Sequence, residues 1–209
     1  MLFIEVVVPK GRFDVPQRQA LAGRLTGRRL LSAAGHDDSA AADPGVIDLL
    51  DSLTDVVVRE EEIWVAGGQP AEAARDTRYV VNVTAGMWGK ELSEHLVSRI
   101  TAELAEAEPG REPCVMVNVI SVPEGGYGLR GLVHRSPDML RLIEQAKTGP
   151  QTPAPDGTVV DPVCGATVPI GDAVMLDRDG RTYGFCCPHC RGHFVRSLRE
   201  VSTPATYGA

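Results

Sequence analysis

The chain has 209 residues, enough for one large domain or two small ones, and 43% hydrophobic with 23% charged residues is the balance of a soluble globular protein. A formal net charge of −7 excludes a nucleic-acid partner unless basic residues cluster locally, and Arg24, Arg28 and Arg29 read as a solvated helix face instead. No apolar run is long enough to span a bilayer, and Phe3 to Val8 is interrupted by Glu5 and lacks a cleavage pattern, so no membrane role, a cytoplasmic location and reduced thiols are expected.

Leu2 to Pro9 is rich in β-branched residues and predicts a strand. Asp14-Val15-Pro16 is a helix start, with Asp as cap and Pro in the first turn, and the helix is expected over Gln17 to Ala33. Gly35 to Gly45 reads as a loop, Val46 to Leu53 as a short helix, and Asp55 to Val58 as a second strand. The acidic run Glu60 to Glu62 precedes Ile63-Trp64-Val65-Ala66-Gly67-Gly68. The pattern then recurs. Arg78 to Thr84 predicts a strand, and Lys90 to Glu106 a helix with Leu92, Leu96, Ile100 and Leu104 spaced four apart. Cys114 to Val122 is the next strand, with Cys114 expected to be buried in it as a small hydrophobe. It leads into Tyr127 to Gly131, and Ser136-Pro137-Asp138 opens a last short helix through Ala146. Two β-α-β units therefore occupy residues 1–70 and 77–147, each ending in an aromatic and Gly segment. The prolines at 150, 153 and 155 make 148–157 a stiff linker to a small module over 158–201.

A tandem β-α-β with these endings resembles the tautomerase superfamily in its fused form, related to 4-oxalocrotonate tautomerase. The resemblance covers about residues 2–146 and rests on the element order, Gly11-Arg12 after the first strand, and the Trp64–Gly68 and Tyr127–Gly131 segments. It implies an α+β fold in which two parallel strand pairs form a four-stranded sheet backed by two helices, and assembly as a homotrimer. It also implies a base, the amine of an amino-terminal proline. Here Leu2 stands at that position, behind a Met1 that would not be trimmed, and the matching position of the second half is near Tyr79, inside the chain. Arg12 matches a family arginine that binds a substrate carboxylate; Arg130, Trp64 and Tyr127 join it as candidate substrate-binding residues, although such aromatics are more often core plugs than pocket walls.

Four of the five cysteines fall near the end: Cys164 in Asp161-Pro162-Val163-Cys164-Gly165, then Cys186, Cys187 and Cys190, with His189 and His193 between and after them. Thiolates and imidazoles grouped this tightly suit a soft or borderline metal ion. Cys186 and Cys190 are four apart, so one helical turn would put both sulfurs on one side. Three thiolates would then converge, with Cys187, His189, His193 or an exogenous ligand in the fourth position. Asp161, Pro162, Val163, Cys164, Gly165, Tyr183, Phe185, Cys186, Cys190 and Phe194 together resemble the YHS domain, a ββα metal-binding module related to the TRASH group. Ala166 departs from that pattern, which has Met there. The resemblance implies that Cys164, Cys186 and Cys190 are the metal ligands.

The function expected from these features is a metal-binding protein, carrying zinc or copper(I) on a tautomerase-like scaffold without its catalytic proline, for metal sensing, delivery or detoxification. A structural zinc holding together a module too small for its own core is the plain alternative. A second is a metal-dependent enzyme acting on a small anionic substrate at the tautomerase-like pocket. A third is a thiol oxidoreductase using the Cys187-Pro188-His189-Cys190 pair.

Overall fold

The computed structural model describes residues 2–31, 43–71, 78–86, 92–108, 110, 112–148 and 153–202, with side chains to residue 198. It divides the chain into two compact units. One comprises Met1–Leu30 with Leu50–Tyr127, the other Leu31–Leu49 with Gly128–Ala209.

The first unit opens with strand β1 (Leu2–Pro9) and helices α1 (Val15–Arg24) and α2 (Gly27–Leu31); the division between units runs through helix α3 (Pro44–Ser52). Strands β2 (Thr54–Glu61), β3 (Val65–Ala66), β4 (Gln69–Pro70) and β5 (Arg78–Ala85), helix α4 (Ser93–Ala107) and strand β6 (Cys114–Ser121) complete it. The sheet order is β2-β1-β5-β6, with β1 parallel to β2, β5 parallel to β6, and the two pairs joined antiparallel through β1 and β5. This is the α+β, tandem β-α-β arrangement that the tautomerase resemblance implied.

Alternation along the strands decides the core. Ile4, Val6 and Val8 of β1 and Tyr79, Val81 and Val83 of β5 are buried, as are Leu21, Leu25, Leu96, Ile100 and Leu104 of the helical layer. Each such side chain contributes about 1.5–3 kcal/mol on leaving water. The alternate positions stay open: Phe3, Val57, Met116 and Ile120 are exposed large hydrophobics. Cys114 shares the outward parity of Met116 and Ile120 on β6 and is exposed, so the expectation of a buried thiol there was wrong.

The first helix starts as the sequence predicts. The Asp14 carboxylate accepts from the Gln17 N–H at 2.8 Å while the Gln17 amide oxygen accepts from the Asp14 N–H at 2.8 Å, closing a capping box. It does not run on to Ala33; α1 ends at Arg24 and α2 restarts at Gly27. The restart has its own caps, because Thr26 Oγ1 accepts from the Arg29 N–H and Asp51 from the Arg28 N–H. Ala33 lies outside the described residues, as does Lys90, the expected start of α4. The arginine cluster is also not a plain solvated face. Arg24, Arg29 and Arg99 converge on Glu103, whose side chain is only 3% exposed, at 3.3, 2.8 and 3.1 Å. Three cations around one buried carboxylate supply the pairing its burial demands.

The second unit contains the β7 (Gly128–Leu129) and β8 (Leu132–Val133) hairpin, helix α5 (Ser136–Ala146), and the antiparallel pair β9 (Thr158–Val160) and β10 (Thr167–Pro169). A second hairpin, β11 (Val174–Arg178) and β12 (Arg181–Phe185), then leads into helix α6 (Pro188–Ser202). The α5 helix and residues 43–49 group with the cysteine module, held by short contacts. Asp43 accepts from the Thr148 N–H at 3.1 Å, and Lys147 donates to the Pro162 carbonyl. A Cβ on Gly165, which has φ +74°, would lie 2.9 Å from Asp43 Cβ, so the turn carrying Cys164 sits directly on this segment.

Gly184, two residues before Cys186, lets β12 approach β9 so closely that an added Cβ would lie 2.3 Å from Val159 Cγ2. Gly184→Ala is therefore expected to cost about 1–3 kcal/mol through overpacking. Gly171→Ala, where no atom lies within 4 Å, should be close to neutral. Urea midpoints of the two variants against the parent check the difference; equal midpoints would show that β9 moves aside freely.

Candidate metal centre

The turn between β9 and β10 is organised by Asp161. Its carboxylate Oδ1 accepts from the Val163 N–H at 2.7 Å and more distantly from the Cys164 N–H at 3.4 Å. The Gly165 N–H closes back on the Asp161 carbonyl, and the Asp161 N–H on the Ala166 carbonyl, each at 2.8 Å. This is an Asp turning its own backbone, and it faces Cys164 inward. The other oxygen, Oδ2, accepts from the Cys186 N–H at 2.8 Å, so one carboxylate ties the first cysteine turn to the end of β12. Asp161 is 0% exposed.

Cys164 Sγ lies 3.6 Å from Cys186 Sγ, and Cys186 Sγ lies 3.7 Å from Cys190 Sγ. A tetrahedral ion with metal–sulfur bonds near 2.3 Å separates its thiolates by about 3.8 Å. The three sulfurs are thus already spaced for one cation. Among the described residues, the group whose ligand atoms all lie within 4.8 Å of one another is Asp161, Cys164, Cys186 and Cys190. Cys164 and Cys190 are buried and Cys186 is the exposed corner. The helical turn expected to pair Cys186 with Cys190 is not how they meet: α6 begins at Pro188, and Cys186 precedes it at the end of the hairpin. The Asp161 bond to its backbone sets Cys186 beside Cys164, and the start of α6 brings Cys190 to it. Beneath the site Phe185 is fully buried, with the Phe194 ring 5.4 Å from it and 4.8 Å from Tyr183.

Burial pushes the Asp161 carboxyl up to about 6, and the neighbouring Cys164 sulfur adds to this against the opposing N–H bonds. Hydrogen bonds from Cys186 and Cys190 hold Cys164 well below the usual thiol range, and the same bonds hold Cys186 and Cys190 above it. One thiolate shared by two donor thiols is a cluster that holds negative charge in a closed space, and a cation at its centre would take the place of the two shared protons.

Of the other residues singled out by sequence, Cys187 shares side-chain hydrogen bonds with Cys186 and Cys190. Cys187 is buried, and its neighbour in the C-x-x-C pair, Cys190, is buried too. A thiol oxidoreductase requires an accessible nucleophile, and among these thiols the exposed one is Cys186. His189 lies in the first turn of α6, and His193 Nε2 lies 3.1 Å from Glu144 Oε2 of α5. Asp161, which had been counted only within the motif, is the residue missed as part of the site. Its spacing of three before Cys164, in a Pro and Gly turn, was the available signal.

In the first unit, Leu2 is buried in β1 and its N–H donates to the Leu53 carbonyl at 3.2 Å. The position matching the catalytic proline is thus a strand residue. Arg12 is nearly enclosed, its side chain 6% exposed, and is ion-paired with Glu108. Its Nε donates to the Tyr79 hydroxyl at 3.2 Å, and that hydroxyl donates to Glu108. Burial opposes the charge on Arg12, but these bonds outweigh it and raise its pKa. A cavity of about 550 Å³ lies beside the trio, bounded also by Phe13, Gln17 and Arg24. Trp64 and Tyr127 are half-buried, and burial raises the Tyr127 pKa. Arg130 is exposed at the tip of the β7–β8 turn with φ +53°.

No family model matches the chain, and no curated protein matches it. Among solved structures, it is similar to N1, a member of the cis-3-chloroacrylic acid dehalogenase family, with 19% identity over 63% of this chain and 82% of that one, at a TM-score of 0.44. It is also similar to native fused 4-OT, with 19% identity over 63% of this chain and 94% of that one, at 0.41. The Q0 fused 4-OT symmetric trimer gives 15% identity over 63% and 94%, at 0.43. Among the described residues, no helix is long and apolar enough to cross a membrane.

Tyr79 offers a test of the buried trio. Burial, then its bond to Glu108, raises its pKa to about 12 against the opposing bond from Arg12. The phenol stays protonated in the folded state after it ionises in the unfolded one. Its contribution, roughly 2–3 kcal/mol, is complete below pH 10 and is lost as pH climbs to about 12. Tyr79→Phe should start about 1–3 kcal/mol less stable at pH 8, having stripped Glu108 and Arg12 of a partner, and should decline less steeply from pH 10 to 12. Parallel urea-stability curves for parent and variant would contradict this.

Proposed function

We propose that the chain is a metal-binding protein whose YHS-like module, over 158–201, holds one thiophilic cation, zinc or copper(I), through Cys164, Cys186 and Cys190. The observation that carries this reading is the convergence of three sulfurs at 3.6 and 3.7 Å around a buried turn. The residues fit the ion: three soft donors, a low first thiol pKa at Cys164, and an apolar bed of Phe185 and Val163. Bound there, the cation would neutralise the thiolates and link the β9–β10 turn, the β12 end and α6. An exposed ligand, Cys186, suits sensing, delivery or detoxification better than a sealed structural site does.

The scaffold is tautomerase-like in strand order but lacks the proline amine, since Leu2 sits within β1. Its anion-binding arginine is already answered by Glu108, so a small anionic substrate has no free cation at Arg12. In this reading the protein works as a homotrimer, as the fused 4-OT relatives are by their names. The exposed Phe3, Val57, Met116 and Ile120 give the open sheet face something to bury.

Protein purified reduced and without chelator should contain about one zinc or copper per chain by elemental mass spectrometry. Cys164→Ser/Cys190→Ser should be empty while far-UV circular dichroism of the folded chain persists, and Cys114→Ser, off the site, should match the parent. A parent that is metal-free as purified, and takes up neither zinc nor copper(I) on titration, would sink the proposal.

A further inference from the structure

A fourth sulfur, that of Cys187, lies against the three cysteines assigned above. We infer that Cys164, Cys186, Cys187 and Cys190 together form a copper(I)–thiolate cluster holding a pair of ions, with Cys186 and Cys190 bridging them; this rests on the metal-binding reading above and extends it from one ion to a pair when the metal is copper(I). The sulfurs form two triangles on a common edge. Cys186 and Cys190 lie 3.7 Å apart, and each shares side-chain hydrogen bonds with both Cys164 and Cys187. The side-chain bonds of Cys164 run to Cys186 and Cys190, while Cys187 acts on it at longer range, through charge. One face is therefore Cys164, Cys186 and Cys190, and the other is Cys186, Cys187 and Cys190. Local structure sets this up. The Cys187 carbonyl accepts from the Arg191 N–H at 3.3 Å at the head of α6, so Cys187 and Cys190 share a helical turn, with Cys186 between β12 and that turn.

A tetrahedral zinc needs four donors around one centre. Among the described residues, the group with ligand atoms all within 4.8 Å of one another adds Asp161, not Cys187, to the first face. The second face is thus left for an ion of its own. Copper(I) is soft and monovalent and is satisfied by two or three thiolates, and a thiolate sulfur has lone pairs enough to bridge two such ions. A pair of copper(I) ions on four thiolates leaves the same net charge as one zinc on four, so the second ion adds no buried charge. Cys164, Cys187 and Cys190 are 8%, 4% and 1% exposed above a fully buried Phe185, an apolar enclosure that keeps water and oxidants from the ions.

Titration of the reduced, full-length chain with copper(I) under argon, against a chromophoric copper(I) chelator, tests the count, and native mass spectrometry reads ions per chain. Cys114→Ser serves as the parent, because Cys114 is an exposed thiol of the first unit. This parent should take up about two copper(I) ions but about one zinc, and show copper–copper scattering in X-ray absorption. Adding Cys187→Ser should lower copper(I) to about one per chain, abolish the copper–copper scattering and leave zinc at about one. A parent that saturates at one copper(I), or a Cys187→Ser protein that still holds two, overturns the inference. So does a Cys187→Ser protein that loses zinc, since Cys187 would then belong to a single centre. Should that variant not fold, the stoichiometry and scattering of the parent decide. A parent that binds neither copper(I) nor zinc overturns the metal-binding reading itself, whereas a count of one copper(I) removes this inference alone.

Discussion

The second unit depends on one buried carboxylate. Asp161 has no exposed surface, and backbone N–H dipoles answer both of its carboxylate oxygens. A carboxyl in such a place costs several kcal/mol unless its lone pairs are used, and here backbone groups use them. Those groups belong to the two segments that must meet for the cysteines to meet. Burying the acid and ordering the thiols are thus coupled, and this is why a module of strands only three to five residues long can bring three sulfurs together.

The surroundings of that turn extend beyond the cysteine-rich sequence. Asp43 packs against Gly165 and accepts from Thr148, Lys147 reaches the Pro162 carbonyl, and Glu144 meets His193. Residues inserted in the first β-α-β repeat and the last helix of the second have been drawn into the frame of the cysteine module. Small metal modules often fold only with their ion, because nothing else organises the ligands. In this chain Met139, Leu140 and Ile143 of α5 are buried in the same unit. Part of the organising energy therefore comes from apolar burial.

Much of this was legible in sequence. Runs rich in β-branched residues located β1, β5 and β6, four-residue spacing located α4, and Asp14 with Pro16 announced α1. Local chemistry was sufficient there because one face of each element decides its burial. What failed needed distant partners. The break after Arg24 is capped by Asp51, 23 residues from Arg28, and the arginines that looked solvated converge on Glu103, more than 70 residues away. Cys114 looked buried because β-branched neighbours surround it, but parity puts it on the face the helices do not cover. At the metal centre the three cysteines were legible as a set, while their geometry was not. A spacing of four suggested a helix, and the chain uses a side-chain clamp instead.

The two units treat charge in opposite ways. In the first, Arg12 and Glu108 cancel, with Tyr79 bridging them, and the position of the proline amine is a strand N–H bonded to Leu53. Arg12, Tyr79 and Glu108 each find their partner within the protein. In the second, Cys186 Sγ lies 3.6 Å from Cys164 Sγ and 3.7 Å from Cys190 Sγ, beside a buried carboxylate. The first unit thus pairs its buried charges within itself, while the second gathers its cysteines around a buried acid.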